Sequence, residues 1–276
     1  MGKKSVLFLG MGFLVFALID QSSLWGMSLR AGVQGGGAAF SDNSCVACHA
    51  GLTEPLLVSN RYLEWHLSRH REKEVGCDRC HGGNPQARDQ RRAHEGVLKA
   101  SQPKSRLSPG NQPETCGACH QSLVAVFTQS SHYQKLKRAG LGPTCNTCHI
   151  HMATKVVYSP EETSSLCANC HNTINGLLPP RPEIPEEAKI AMMAIQRADM
   201  TEDWTHLLLA EAQRRGLTLE PEKADFHAAQ VILGEAKVEW HQFQLATVRR
   251  QADEAFLKIV KVRDRIQKRL FESQRN

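Results

Sequence analysis

Aromatic residues are scarce in this chain of 276 residues, where Trp, Tyr and Phe make up only 6%. A chain of this length has room for one or two domains, but so few rings argue against a large side-chain core, so something else must organise much of it. Long apolar runs are nearly absent too. The exception is Val6 to Ile19, fourteen residues preceded by Lys3 and Lys4 and closed by Asp20. That is shorter than the roughly 20 residues a membrane-spanning helix needs, and it reads as an export signal, cleaved or kept as an anchor. No lipobox-type cysteine follows it, so a lipid anchor has no support. An acidic excess is also lacking, the formal charge being +6. Such a balance raises nucleic acid as a partner, a reading the next feature removes.

No cysteine is an orphan. All ten fall in five CxxCH motifs: Cys45 and Cys48 with His49, Cys77 and Cys80 with His81, Cys116 and Cys119 with His120, Cys145 and Cys148 with His149, and Cys167 and Cys170 with His171. Two thiols three positions apart can add to the two vinyl groups of one haem, and the next imidazole then falls under the iron as its proximal ligand. Zinc sites use thiolate pairs without requiring a histidine directly after the second cysteine, and disulfides do not require one either. Five covalent haem c groups are therefore expected. Their propionates, two on each, would carry the net charge below zero, so no nucleic-acid partner is expected. Five porphyrins within 127 residues would themselves supply apolar core, which accounts for the missing rings.

Eight histidines lie outside the motifs, and the second axial position of each iron decides between carrier and catalyst. His70, His94 and His132 sit in polar, loop-like segments and are candidate ligands. His66 is one helical turn before His70, so both can be used or one can be solvated. His151 follows proximal His149 by two residues, about 7 Å of chain at most, and must serve a neighbouring haem. His227 and His241 fall on an apolar seam, where a satisfied core histidine and a ligand are both open readings. His206, beside Trp204 on a helix flank, has no predicted role. The basic runs Arg88 to Arg92 and Lys135 to Arg138 read first as solvated faces and second as docking or propionate-pairing sites.

Composition divides the chain into residues 1–27 (signal or anchor), 28–40 (a Gly-rich linker), 41–178 (five haems among short helices and loops) and 179–276. In the last part Ile184, Ala188, Ala191, Ile195 and Ala198 keep helical spacing, with Gly216 as a stop. From Pro221 a second seam runs through His227, Val231, Gly234, Val238, His241, Leu245, Val248, Ala252, Ala255, Ile259, Val262 and Ile266. A mainly α fold ending in a long-helix hairpin is predicted, able to pack within the chain, against a second copy or into a larger complex.

Ser68-Arg69-His70 leading into the second motif, Gly82-Gly83-Asn84-Pro85 with Ala93-His94, Ser131-His132-Tyr133, and His149-Ile150-His151 resemble the multihaem cytochrome c superfamily over about residues 41 to 175. That superfamily includes cytochrome c-554, pentahaem nitrite reductase and hydroxylamine oxidoreductase. The resemblance implies His70, His94, His132 and His151 as distal ligands and an electron-transfer role with a redox protein as donor and another as acceptor. No cysteine pair is followed by lysine, as the catalytic motif of pentahaem nitrite reductase requires. Tyr62, Tyr133 and Tyr158 have no spacing suggesting the haem-linked tyrosine of hydroxylamine oxidoreductase. The chain is also similar to the membrane-anchored quinol dehydrogenases of NapC/NirT type, which would add the quinol pool as a partner. The expectation is a pentahaem carrier, in the periplasm or on the outer face of the cytoplasmic membrane, with bis-histidine irons. A quinol dehydrogenase, or a nitrogen-oxide reductase with one open iron, is the alternative.

Overall fold

The computed structural model of the protein describes residues 40–150, 155–174 and 180–275. The expected signal (1–27), nearly all of the linker (28–40) and His151 lie outside the described residues. Two kinds of architecture follow one another. The first is a run of short helices: α1 (Ser44–His49), α2 (Leu56–His66), α3 (Arg69–Glu72), α4 (Cys77–His81), α5 (Gln90–Ala93), α6 (Gln112–Gly117), α7 (Gln121–Phe127), α8 (Ser131–Ala139), α9 (Cys145–Cys148) and α10 (Pro160–Ala168). One two-residue strand, Lys155–Val156, pairs back on His149 and Ile150. The mainly α expectation holds.

Polar residues start these helices. Asn43, Ser68, Asp89, Ser130 and Ser159 each accept a hydrogen bond from an N–H in the first turn, satisfying donors that a helix start leaves open. Thr144 and Thr147 form a reciprocal capping box around α9. Caps of this kind let helices of four to nine residues hold a side chain in place without packing of their own.

The second architecture is a bundle of α11 (Ile184–Arg214), α12 (Glu220–Glu239) and α13 (Leu245–Ser273). Pro185 and Pro221 sit in the first turns of α11 and α12, where the missing N–H costs nothing. Gly216, at φ +74°, ends α11 with its N–H on the Gln213 carbonyl and that of Leu217 on the Ala212 carbonyl. Phe226, Leu233, Ile259, Val262 and Ile266 fill one part of the core, and Ala191, Ile195, Ala236, Val248 and Ala252 the other. The many alanines let the helix axes approach closely.

The predicted hairpin is a three-helix bundle instead. The seam read as one helix from Pro221 breaks at a 3-10 turn, Trp240–Gln242, followed by Phe243 in the left-handed region at φ +63°. The break resets the helical phase. Val248, Ala252, Ala255, Ile259, Val262 and Ile266 are buried as predicted, and so are Ala188, Ala191, Ile195 and Ala198. In α12 the buried line is Phe226, Ala229, Leu233 and Ala236, not His227, Val231, Gly234 and Val238. Larger apolar side chains won the inward positions, leaving His227 exposed.

The two parts meet through α10 and the segment before it. The Tyr158 hydroxyl donates to Asp199 on α11, Gln196 donates to the Tyr158 carbonyl at 2.7 Å, and Lys189 lies 3.6 Å from Glu161. Among the described residues no helix is long and apolar enough to cross a membrane.

Candidate haem-binding sites

Every CxxCH motif lies on or just after a helical turn: α1, α4, α6, α9 and α10 carry them in order. Helical spacing turns the two thiols of a motif toward one side. None of the ten cysteines is in a disulfide. Burial pushes the thiols of Cys77 and Cys167 up to about 11, with help from neighbouring thiols.

The histidines that follow the motifs meet four of the predicted partners. His49 faces His94 with ring centroids 6.0 Å apart, His120 faces His70 at 6.1 Å, His171 faces His132 at 5.9 Å, and His149 faces His241 at 6.2 Å. Metal–imidazole bonds are roughly 2 Å long, so two trans imidazoles on one metal, with half a ring added on each side, have centroids about 6 Å apart. All four pairs match that spacing. Burial, together with neighbouring positive groups, pulls the imidazoles of His49, His149 and His171 below their ordinary range. Burial brings His132 down to about 4, with smaller contributions from His171 and Lys135. Neutral imidazole is the form that binds a metal.

Each distal candidate is held by local structure. His94 follows α5, and its Nδ1 lies 2.8 Å from the Gln90 carbonyl. His241 is in the 3-10 turn between α12 and α13, with Nδ1 3.0 Å from the Lys237 carbonyl. Donation from Nδ1 to a carbonyl leaves Nε2 for the metal and fixes the ring. His70 is in the short helix α3 capped by Ser68, and His132 is in the first turn of α8 capped by Ser130. His132 also lies against the Phe243 ring at 4.1 Å, a contact created by the helix break.

The remaining predicted ligands meet no such partner among the described residues. His81 is half-buried, with His49 near enough to lower its pKa further, but no second imidazole faces it. His66 packs its ring at 5.9 Å from Tyr62, with its Nδ1 buried and unpartnered. His227 is exposed on α12. His206, without a predicted role, contacts Gln230, Glu202 and Phe226 in the bundle. Phe243 was not legible as a site residue, because only the unforeseen break brings it there.

Successive motifs are also neighbours. Cys116 lies close to Cys145, and the Asn146 N–H donates to the Gln112 side chain at 3.2 Å. Cys45 lies near Cys77, Cys80 near Cys116 and Cys119, and Cys148 near Cys167. Asn43, the cap of α1, donates to Asp78 between the second pair of thiols at 3.3 Å.

The surroundings fit haem on a second count. Among the described residues, the buried apolar side chains outside the bundle are few: Trp65, Phe127 and Leu136, with Pro113 and Pro160. More than a hundred residues around the motifs therefore lack a side-chain core, which large apolar prosthetic groups would supply. Paired thiols and facing imidazoles around such a space define a protein that holds haem c covalently.

Comparison with known proteins agrees. Residues 27–82 match the family described as cytochrome c554 and c-prime. The chain is 29% identical over 124 residues to the C-type polyheme cytochrome OmcC of Geobacter sulfurreducens (strain ATCC 51573 / DSM 12127 / PCA), covering 42% of this chain and 15% of that one. It is 30% identical over 151 residues to the C-type polyheme cytochrome OmcB of Geobacter sulfurreducens (strain DL-1 / KN400), covering 51% of this chain and 18% of that one. The chain thus spans less than a fifth of the length of these relatives. No solved structure matches it. Over these stretches the chain is similar to c-type cytochromes, and the relatives it matches there are polyheme ones.

Proposed function

We propose that the chain is an exported electron carrier with five covalently bound haems, at least four of them held between two histidines. The observation that carries this reading is the set of four facing imidazole pairs at 5.9 to 6.2 Å. Haem c supplies one-electron exchange between ferrous and ferric iron when bound. The cysteines of each motif tether a porphyrin. His49, His81, His120, His149 and His171 serve as proximal ligands, and His94, His70, His241 and His132 close the far sides at four of them. The fifth distal position falls to His66 or His151, while exposed His227 takes no part. A closed iron offers no site to a substrate, so the residues favour carriage over catalysis.

In this reading, residues 41–178 form the haem domain, and residues 179–276 serve as a buttress that also contributes His241. The neighbouring thiols of successive motifs keep the sites near one another, which suits transfer between redox proteins outside the cytoplasm. The Val6 to Ile19 run supports export. Intact mass of the purified protein tests the count: an increment of five haems is expected, and fewer overturns it.

A second reading is favoured by one observation, the lack of an imidazole facing His81 among the described residues. An iron open at that site would admit a small ligand, as a nitrogen-oxide reductase requires. A high-spin signal of one iron per chain, with nitrite-dependent oxidation of the reduced protein, would move the conclusion there.

A further inference from the structure

The residues around the first and fifth sites are not equivalent, and the differences between these two all run one way. At the first site, the Nδ1 of His94 is 2.8 Å from a backbone carbonyl. An imidazole that donates from Nδ1 is the stronger base at Nε2 and so the better ligand for the more positive ferric iron. The Asp78 carboxylate stands beside the Cys45, Cys77 and Cys80 thiols, adding negative charge between the first and second sites. Arg79 approaches that carboxylate at 3.8 Å with its side chain 78% exposed, where water screens it, and Arg106 near Cys80 offsets part of it at the second site.

The fifth site is the reverse in three respects. The Nδ1 of His132 is buried with no hydrogen-bond acceptor among the described residues. The ring packs on Phe243, in apolar surroundings that disfavour extra positive charge. Arg181 and Lys135 place positive charge near His171; Glu183 opposes them but is itself bonded to Arg181. A ferric iron has one more positive charge than a ferrous one, so each of these features favours the reduced form.

We propose that the protein grades its haem sites, with the surroundings of His132 and His171 making the fifth site the most easily reduced and those of His94 and Asp78 making the first the least. This rests on haem occupying all five motifs. The gradient would bias electron density toward the Cys167–His171 end, making that end the face from which an acceptor is served.

Optical potentiometry of the holoprotein tests this, with haem content measured by intact mass on each sample. In Cys167→Ala/Cys170→Ala, the highest-potential component should vanish while the others stay; its persistence overturns the grading. Should that variant fail to fold, Lys135→Gln/Arg181→Gln keeps all tethers and should shift only the highest component downward. A highest component that does not move, or a shift elsewhere, overturns it equally. Wild-type protein with fewer than five haems refutes the underlying haem count, whereas five haems with the highest component assigned elsewhere refutes the grading alone.

Discussion

His241 faces His149 with ring planes 6° apart and centroids 6.2 Å apart, so the C-terminal bundle reaches into the Cys/His region with an imidazole of its own. The Lys237 carbonyl fixes this ring from behind. Removing the ring should open one iron. His241→Ala is expected to convert one low-spin haem per chain to high spin with unchanged helical circular dichroism. His227→Ala, on the exposed face of α12, should leave every haem low-spin. Equal behaviour of the two variants would refute the assignment.

His94 depends on the loop that brings it back to His49. Gly83 has φ +88°, and a Cβ there would lie 2.5 Å from the Ala93 carbonyl oxygen and 2.9 Å from Val97. The backbone conformation alone costs about 1–2 kcal/mol for an L side chain, and the backbone clash adds to it. Gly83→Ala should displace His94 and give a high-spin signal at the first site. Gly96 has a similar φ of +80° with open space around it, so Gly96→Ala should cost only the backbone part and keep the ligand. Electron paramagnetic resonance of both variants checks the difference, and an unperturbed Gly83→Ala protein would contradict it.

Ile259 is fully buried where α13 packs on α11 and α12. Ile259→Ala leaves a cavity and should lower bundle stability by about 2–5 kcal/mol. Denaturant unfolding followed by circular dichroism measures it. A loss under 1 kcal/mol would mean the bundle core is not organised around this seam.

Acid should act through His132. Burial lowers its folded pKa to about 4, from an ordinary value of about 6.5. The unfolded chain therefore binds the extra proton first as pH falls. The stabilisation is complete above about pH 6.5 and is lost progressively toward pH 4. The low-spin spectrum of the fifth site should persist from pH 7 through pH 5 and give way only toward pH 4. Complete conversion above pH 6.5 would contradict the burial of this ring.

The five motifs, the short helices and the half of the apolar seam that lies in α13 were legible in the sequence because each is a local pattern. CxxCH spacing is chemistry within five residues, and the burial of Val248 through Ile266 follows from a repeat within one helix. His70, His94 and His132 could be named from their segments, but not which proximal histidine each faces. That depends on how chain segments far apart in sequence return to one another. The break at Trp240 to Phe243 was hidden for a different reason. Its residues continue the apolar spacing, and neither proline nor glycine marks the stop. Only the left-handed Phe243 ends α12, and its ring is held by His132 and Phe127 from the other half of the protein. Tertiary contact, not local propensity, decides that turn, and with it the placement of His241.

The most direct test of the central claim is electron paramagnetic resonance of the fully oxidised holoprotein, quantified against its haem content. Four facing imidazole pairs predict at least four low-spin ferric haems per chain, each with the signature of two histidine ligands. Fewer than four low-spin haems in a fully loaded protein would mean that these rings do not share irons, and would contradict the account.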